Sequence, residues 1–204
     1  MIQNIIFDFG DIFIDLDKEA YLRELRQLNT ELTLSEALLQ NNLLYEKGLI
    51  STEEFLAFYK QEFNTDNETL IKRIWNSIIL DIPEQRLEFL QNLKSENRYR
   101  LFLLSNTNAL HIEQVIHNIG TQKYDVFKSC FEGFYLSHEI NMRKPDSEIY
   151  QFVLEKNGLS ASESLFIDDT VENTEAASQL QMPVWNLRPG QEDITGLFAK
   201  DLPW

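Results

Sequence analysis

Apolar residues recur along this chain in two rhythms, and the switches between them predict its architecture. Residues 2–8 (IQNIIFD) form a mostly apolar run closed by an acid and followed shortly by Gly10, the pattern of a buried parallel strand ending in a loop. From Asp17 to about Asn97 the apolar positions fall three and four apart instead, in AYLRELRQL, EALLQNNLLY, STEEFLAFYKQEF and ETLIKRIWNSII, which predicts helices. Ser51 with Glu54 makes a capping-box start, Gly48 suits the turn before it, and Pro83 opens a further helix over PEQRLEFLQNLKSEN. Strand-like runs then return at RYRLFLLSN, FEGFYLS, SLFIDD and MPVWNL, with helical stretches ALHIEQVIHNI, DSEIYQFVLEKNG and VENTEAASQL between them. That alternation predicts an α/β sheet of mostly parallel strands. No repeat, low-complexity tract or long Pro/Gly/Ser linker interrupts it, so the helical stretch after the first strand is the one domain-scale feature. The predicted division is a core domain of residues 1–16 and 84–204 and a helical domain of residues 17–83.

Composition narrows the classes. The 204 residues are 43% hydrophobic and 25% charged, the ordinary globular range. Eighteen Lys plus Arg stand against thirty-three Asp plus Glu, a net charge of -15 and a pI near 4.6. Such a surface repels a phosphate backbone, so no nucleic-acid partner is expected. The single Cys130 cannot make an internal disulfide and no paired Cys or His spacing suggests structural zinc, so a reducing cytoplasm is the expected home. The first apolar run is short and leads into acidic residues; neither a signal peptide nor a membrane span is expected there.

In an open parallel sheet, ligands bind outside the carboxyl ends of the strands. The polar residues closing the apolar runs are Asp8 after IIF, Ser105 and Asn106 after LFLL, and Asp168 with Asp169 after LFI, joined by Lys144 in NMRKPDSEIY. A carboxylate nucleophile, a hydroxyl, a lysine and a second acidic pair are the parts that hold a hard cation and a phosphate together. Carboxylates alone would repel a phosphate dianion. Mg²⁺ between them, with Lys144 and backbone N–H groups on the far side, reverses the local field. Each residue also has a plainer reading: Asp8 as a strand-end turn acid, Ser105 and Asn106 as turn or cap residues, Lys144 as an exposed lysine before Pro145 with Arg143 sharing its role.

These residues, in this order, resemble the haloacid dehalogenase-like hydrolase superfamily, and the resemblance covers the whole chain. FDFGDIFIDLD, LLSNTNALH, YLSHEINMRKPDSEIYQFVLEKNG and LFIDDTVENTEAA look most like the branch of small bacterial sugar-phosphate phosphatases that release glucose from α-D-glucose 1-phosphate. The resemblance implies a Rossmann-like, mostly parallel sheet with helices on both faces and a small helical cap inserted after the first strand. It further implies that Asp8 attacks phosphorus to form an aspartyl-phosphate, that Ser105 and Asn106 bind phosphoryl oxygens, and that Lys144 pairs with Asp8 and the phosphate. Asp8, the Gly10 carbonyl and Asp169 would hold Mg²⁺, with Asp168 a supporting acid or additional ligand. Asn173 would orient Asp169 or serve as helix surface.

One departure stands out. Many superfamily phosphatases carry an acid two residues after the nucleophile to protonate the leaving oxygen; this chain has Gly10, as the glucose-1-phosphate branch does. Asp11, Asp15 or a metal-polarised water could substitute, while Asp15 and Asp17 suit the entrance to the cap. Returning an acid to position 10 should meet backbone angles that glycine takes more easily than aspartate. His111 either reaches substrate or serves the helix surface or a cap, whereas His117 and His138 read as structural. Tyr45, Phe55, Phe58, Tyr59 and Trp75 read as cap core, with one or two facing the cleft. The expected function is hydrolysis of a small phosphorylated metabolite by a monomer or weak homodimer. A weakly active regulatory relative, a phosphotransferase or mutase, and a dehalogenase are the alternatives.

Overall fold

The computed structural model describes residues 1–28 and 34–202; residues 29–33 of the predicted helical stretch and 203–204 of the predicted core lie outside them. Strands β1 (Asn4–Phe7), β2 (Arg100–Ser105), β3 (Gly133–Leu136), β4 (Ser164–Asp168) and β5 (Val184–Asn186) form one sheet in the order β3-β2-β1-β4-β5. Every pairing is parallel. The period-2 alternation of strand side chains divides the core in two. Ile5, Phe7, Leu101, Leu103, Leu165 and Ile167 face one side of the sheet, and Ile6, Phe102, Leu104 and Phe166 the other. Both faces are buried, which is why the strands read as unbroken apolar runs.

Between β1 and β2 lie α1 (Ala20–Leu28), α2 (Glu36–Glu46), α3 (Thr52–Glu62), α4 (Glu68–Asn76) and α5 (Glu84–Glu96). Helices α2 to α4 bury Leu38, Tyr45, Phe55, Leu56, Tyr59, Ile71 and Trp75 in a further cluster, which Leu110 joins from beyond β2. Tyr45 stacks on Phe55 with centroids 4.2 Å apart, and α3 starts on the reciprocal Ser51–Glu54 capping box. The chain enters and leaves this insert side by side: Asp15 N–H donates to Asp81 O (3.0 Å), Leu80 N–H to Asp15 O (3.1 Å) and Asp17 N–H to Ile78 O (3.0 Å).

Leu87, Leu90 and Leu93 of α5 join the first face, together with Val115 of α6 (Ala109–Ile119) and Tyr124 and Phe127 of α7 (Thr121–Ser129). Helix α7 is absent from the sequence expectation. Gly120 (φ +82°) turns the chain there, and Tyr124 and Phe127, three apart, drop into a pocket of aromatic rings that only the assembled core supplies. A short α8 (Ser137–Ile140) follows β3, and α9 (Ser147–Asn157) and α10 (Val171–Gln179) cover the second face through Ile149, Tyr150, Val153 and Ala177. Gly48 (φ +64°) brings the α2–α3 turn hard against the backbone of His138, where an added Cβ would lie 2.0 Å from a carbonyl oxygen. No helix of the described residues is long and apolar enough to cross a membrane.

Candidate active site

Parallel register sets the site. Phe7 is level with Ile167 of β4 and Leu103 of β2, so the next residues, Asp8 and Asp168, leave neighbouring strands at one height while Ser105 closes the strand on the other side. The Asp8 N–H donates to Ile167 O at 2.8 Å, continuing the ladder one residue past the strand. Lys144 arrives from the segment before α9 and is 1% exposed. Its ammonium donates to Asp8 Oδ1 at 2.7 Å and to Asp168 Oδ2 at 2.6 Å. A buried ammonium persists only with such partners. Burial pushes the Asp8 carboxyl up to about 7, Lys144 pulls it back down, and the negative charges of Asp168 and Asp169 add to the rise. Burial presses Lys144 down, but the two carboxylates outweigh it and its pKa is raised.

Asp168 is fully committed. Its Oδ1 accepts from Thr170 N–H (2.8 Å) and Asn173 Nδ2 (3.1 Å), and its Oδ2 accepts from Lys144 and again from Asn173 (3.0 Å). Asn173 therefore braces Asp168 and not Asp169, contrary to the sequence expectation: the first turn of α10 carries its amide back over the strand end. Asp169 turns the other way, with Oδ2 2.5 Å from the Lys18 ammonium, which also meets Asp11 Oδ2 at 2.8 Å. Asp8, Asp168 and Asp169 each offer an oxygen within 4.8 Å of the others. With both Asp168 oxygens already taken, Asp8 and Asp169 are the carboxylates of this cluster that fit a Mg²⁺ ion, with its preference for oxygen, and Asp168 is the charge beside them.

Asn106 departs from expectation. Its amide clamps the Lys144 peptide from both ends, Nδ2 donating to Lys144 O and Oδ1 accepting from Lys144 N–H, each at 2.9 Å. The side chain holds the lysine in place, and Thr107 N–H is taken by Ser137 Oγ at 2.9 Å, so Ser105 and the Asn106 N–H are the loop groups left to face a phosphoryl group. Ser105 is buried at the strand end and lines a cavity of about 90 Å³ with Gly10, Asn106 and Glu46. Gly10 has no left-handed backbone; an added Cβ would instead lie 2.7 Å from Leu16 Cδ1, so a neighbouring side chain and not the backbone angle resists an acid there. Asp11 (φ +55°) accepts from Leu16 N–H at 3.1 Å, Asp15 pairs with Arg86 and Asp17 with Arg23.

His111 is neither surface nor cap. It is buried, stacks on Trp75 with centroids 5.0 Å apart, and meets Trp75 O through Nε2 (3.1 Å) and Asn108 Nδ2 through Nδ1 (3.0 Å). Asn108, fully buried, accepts from both Trp75 Nε1 and His111 N–H at 3.1 Å, tying α4 of the insert to α6 of the core. His117 is exposed and His138 half-buried. A larger cavity of about 480 Å³ adjoins the first, walled by Tyr21, Leu39, Leu43, Trp75 and Ile78 with Lys18 at its edge. Lys18, Glu46, Tyr21 and Leu16 were not legible in sequence: each comes from the insert or its entrance, where helical periodicity marks the buried stripe and says nothing of which other side chains meet the sheet.

Known proteins resemble this chain in sequence and fold. A D-ribitol-5-phosphate phosphatase from Bacteroides thetaiotaomicron is 25% identical over 191 residues, covering 88% of this chain and 89% of that one. A sesquiterpene phosphatase, astK, from Aspergillus oryzae is 44% identical over 101 residues, about half of each chain (49% and 48%). The crystal structure of a haloacid dehalogenase (HAD) family enzyme from Bacteroides thetaiotaomicron, a magnesium complex, superposes with a TM-score of 0.85 at 33% identity, covering 98% of this chain and 99% of that one. The model of the haloacid dehalogenase-like hydrolases matches residues 2–181, and with the strand-end carboxylates and buried lysine in place the chain belongs to that family.

Proposed function

We propose that this hydrolase is a phosphatase that removes the phosphoryl group of a small phosphorylated metabolite, a sugar phosphate such as α-D-glucose 1-phosphate, through an aspartyl-phosphate on Asp8. The observation that carries the reading is the buried Lys144 ammonium shared between Asp8 and Asp168 at adjacent strand ends. Lys144 holds Asp8 Oδ1, which leaves Oδ2, on the Gly10 side, to attack phosphorus in line with the departing oxygen. The same ammonium neutralises charge that the phosphoryl oxygens bring into the site. Asp168, held by Asn173 and Thr170, fixes Lys144 from behind, and Asn106 fixes its backbone. Ser105 and the Asn106 backbone N–H take up phosphoryl oxygens.

Asp8, the Gly10 carbonyl and Asp169 would hold Mg²⁺, which supplies charge neutralisation between carboxylate and phosphate when bound. The family relative solved with magnesium and the three-carboxylate cluster support that assignment. Residues 17–83 act as the cap and residues 1–16 with 84–204 as the core; the apolar cluster built mainly by α2 to α4 and the paired crossings at 15–17 and 78–81 support this division. The enzyme works in the cytoplasm as a monomer or weak homodimer on small substrates.

The apolar walls Leu39, Leu43, Trp75 and Ile78, together with the relative named as a sesquiterpene phosphatase, favour a second reading in which the phosphate sits on a terpenyl or alkyl chain. Phosphate release from a panel of sugar, polyol, alkyl and terpenyl phosphates, with and without Mg²⁺, tests both. Turnover of α-D-glucose 1-phosphate above the 6-phosphate supports the first reading; no turnover of any member in Mg²⁺ removes both.

A further inference from the structure

The small cavity at Gly10 and Ser105 and the large one beneath the insert share three residues: Glu46, Ile78 and His111. Ile78 is apolar. Both ring nitrogens of His111 are taken, by Asn108 and by Trp75 O, and burial keeps the ring uncharged. Glu46 is therefore the shared residue with an acceptor to offer. It is held at two points. Its backbone carbonyl accepts from Ser137 Oγ at 2.6 Å, and its carboxylate Oε2 accepts from Arg143 Nε at 2.9 Å. Arg143 is itself fixed by donating from Nη1 to Lys144 O at 3.0 Å, so the carboxylate is referenced to the backbone of the lysine that grips Asp8. The acids nearer in sequence to Gly10 are spent elsewhere, Asp11 on Lys18 and Leu16 N–H, Asp15 on Arg86, Asp17 on Arg23.

We propose that Glu46 is a specificity-determining residue that accepts a hydrogen bond from a substrate hydroxyl on the carbon next to the phosphoester carbon, selecting polyol and sugar phosphates over alkyl and terpenyl phosphates. The inference rests on the phosphatase reading and decides between its two substrate classes. The small cavity borders the Gly10 and Ser105 side of the site, and Glu46 is the polar residue with a spare acceptor that it shares with the larger space, so a substrate reaching from Asp8 into that space passes the Glu46 carboxylate. A carboxylate only accepts, and one of its oxygens already serves Arg143. A hydroxyl satisfies the other, whereas a methylene displaces its water and returns nothing. A second phosphate or carboxylate at that place is repelled. The polar groups deeper in the insert are less available: Tyr21, Asn42 and Tyr59 bond one another, with Tyr59 OH on Asn42 Oδ1 at 2.7 Å and the two tyrosine hydroxyls 2.7 Å apart.

A three-carbon series isolates the hydroxyl. In the Mg²⁺-loaded enzyme, 2-hydroxypropyl phosphate should exceed n-propyl and 3-hydroxypropyl phosphate in kcat/KM by about tenfold, mostly through KM. Glu46→Ala should bring the three within about threefold of one another, with Glu46→Gln, which keeps one carbonyl acceptor, between Ala and parent. A role confined to holding Arg143 would lower all three substrates together and leave their ratio intact, which overturns the proposal. So does a parent that turns over the series without discrimination, while leaving the phosphatase reading standing. A parent that releases phosphate from none of the series or from p-nitrophenyl phosphate overturns both. Thermal melts of each variant confirm folding, and the isosteric Gln variant carries the test should Ala fail to fold.

Discussion

The strand-end cluster and the helical insert both bury polar atoms, yet they do so in opposite ways. At the strand ends, Asp8, Lys144, Asp168 and Asn173 are buried charges and amides whose hydrogen bonds close on one another, an arrangement worth little for stability and much for chemistry. In the insert, Tyr45, Phe55, Tyr59 and Trp75 are buried for packing, and their polar atoms are satisfied mainly so that the rings can be buried at all. Substitution should therefore separate the regions: changes at the strand ends remove turnover whether or not they also cost stability, and changes among the packed rings of the insert cost stability first.

The largest expected effect is at Asp8. Asp8→Asn should lower kcat by at least about 10⁴-fold, because no other carboxylate is held against Lys144 on the Gly10 side, while circular dichroism stays that of the parent. Parent-like activity in that variant would end the nucleophile assignment.

Next come the adjacent acids, which the structure divides by partner. Asp168→Ala leaves Lys144 with one carboxylate and Asn173 with none, and should cost about 3–5 kcal/mol of stability in urea unfolding. Asp169→Ala should cost far less stability and instead weaken Mg²⁺ binding in calorimetric titration, since its carboxylate faces the half-open side with Lys18. Reversed outcomes would exchange the two roles.

His111 sets a smaller effect with a defined pH window. Burial, partly offset by the Trp75 carbonyl, lowers its pKa from 6.5 to about 4. The unfolded imidazole takes a proton near 6.5 and the folded one only near 4, so protons favour the unfolded chain between those values. Stability is complete above about pH 6.5 and falls as pH drops toward 4, by up to about 3 kcal/mol. Denaturant melts across that range should slope more steeply in the parent than in His111→Gln.

The smallest effect tests the acid that position 10 lacks. Gly10→Asp should cost about 1–3 kcal/mol because its Cβ meets Leu16, and adding Leu16→Ala should recover part of that loss. Equal melting temperatures for the single and double variants would show that Leu16 is not the obstacle.

Much of this was written in the chain. Unbroken apolar runs ending in Asp8, Ser105 and Asp168 gave the strands and the residues at their tips, because a parallel strand buried on both faces must be apolar until it reaches the edge where ligands bind. The resemblance added the expected roles of Asp8 and Lys144, and the helical periodicity of 17–83 marked the insert. Partners were another matter. Nothing in local pattern says that Asn173 would reach Asp168 and not its neighbour, that Asn106 would spend its amide on Lys144, that Leu16 would fill the space beside Gly10, or that Glu46 would come to lie between two cavities. Each of those contacts joins residues whose meeting depends on strand register or on how the insert seats against the sheet. Periodicity encodes which side of an element is buried; only the assembled fold fixes which atoms it is buried against.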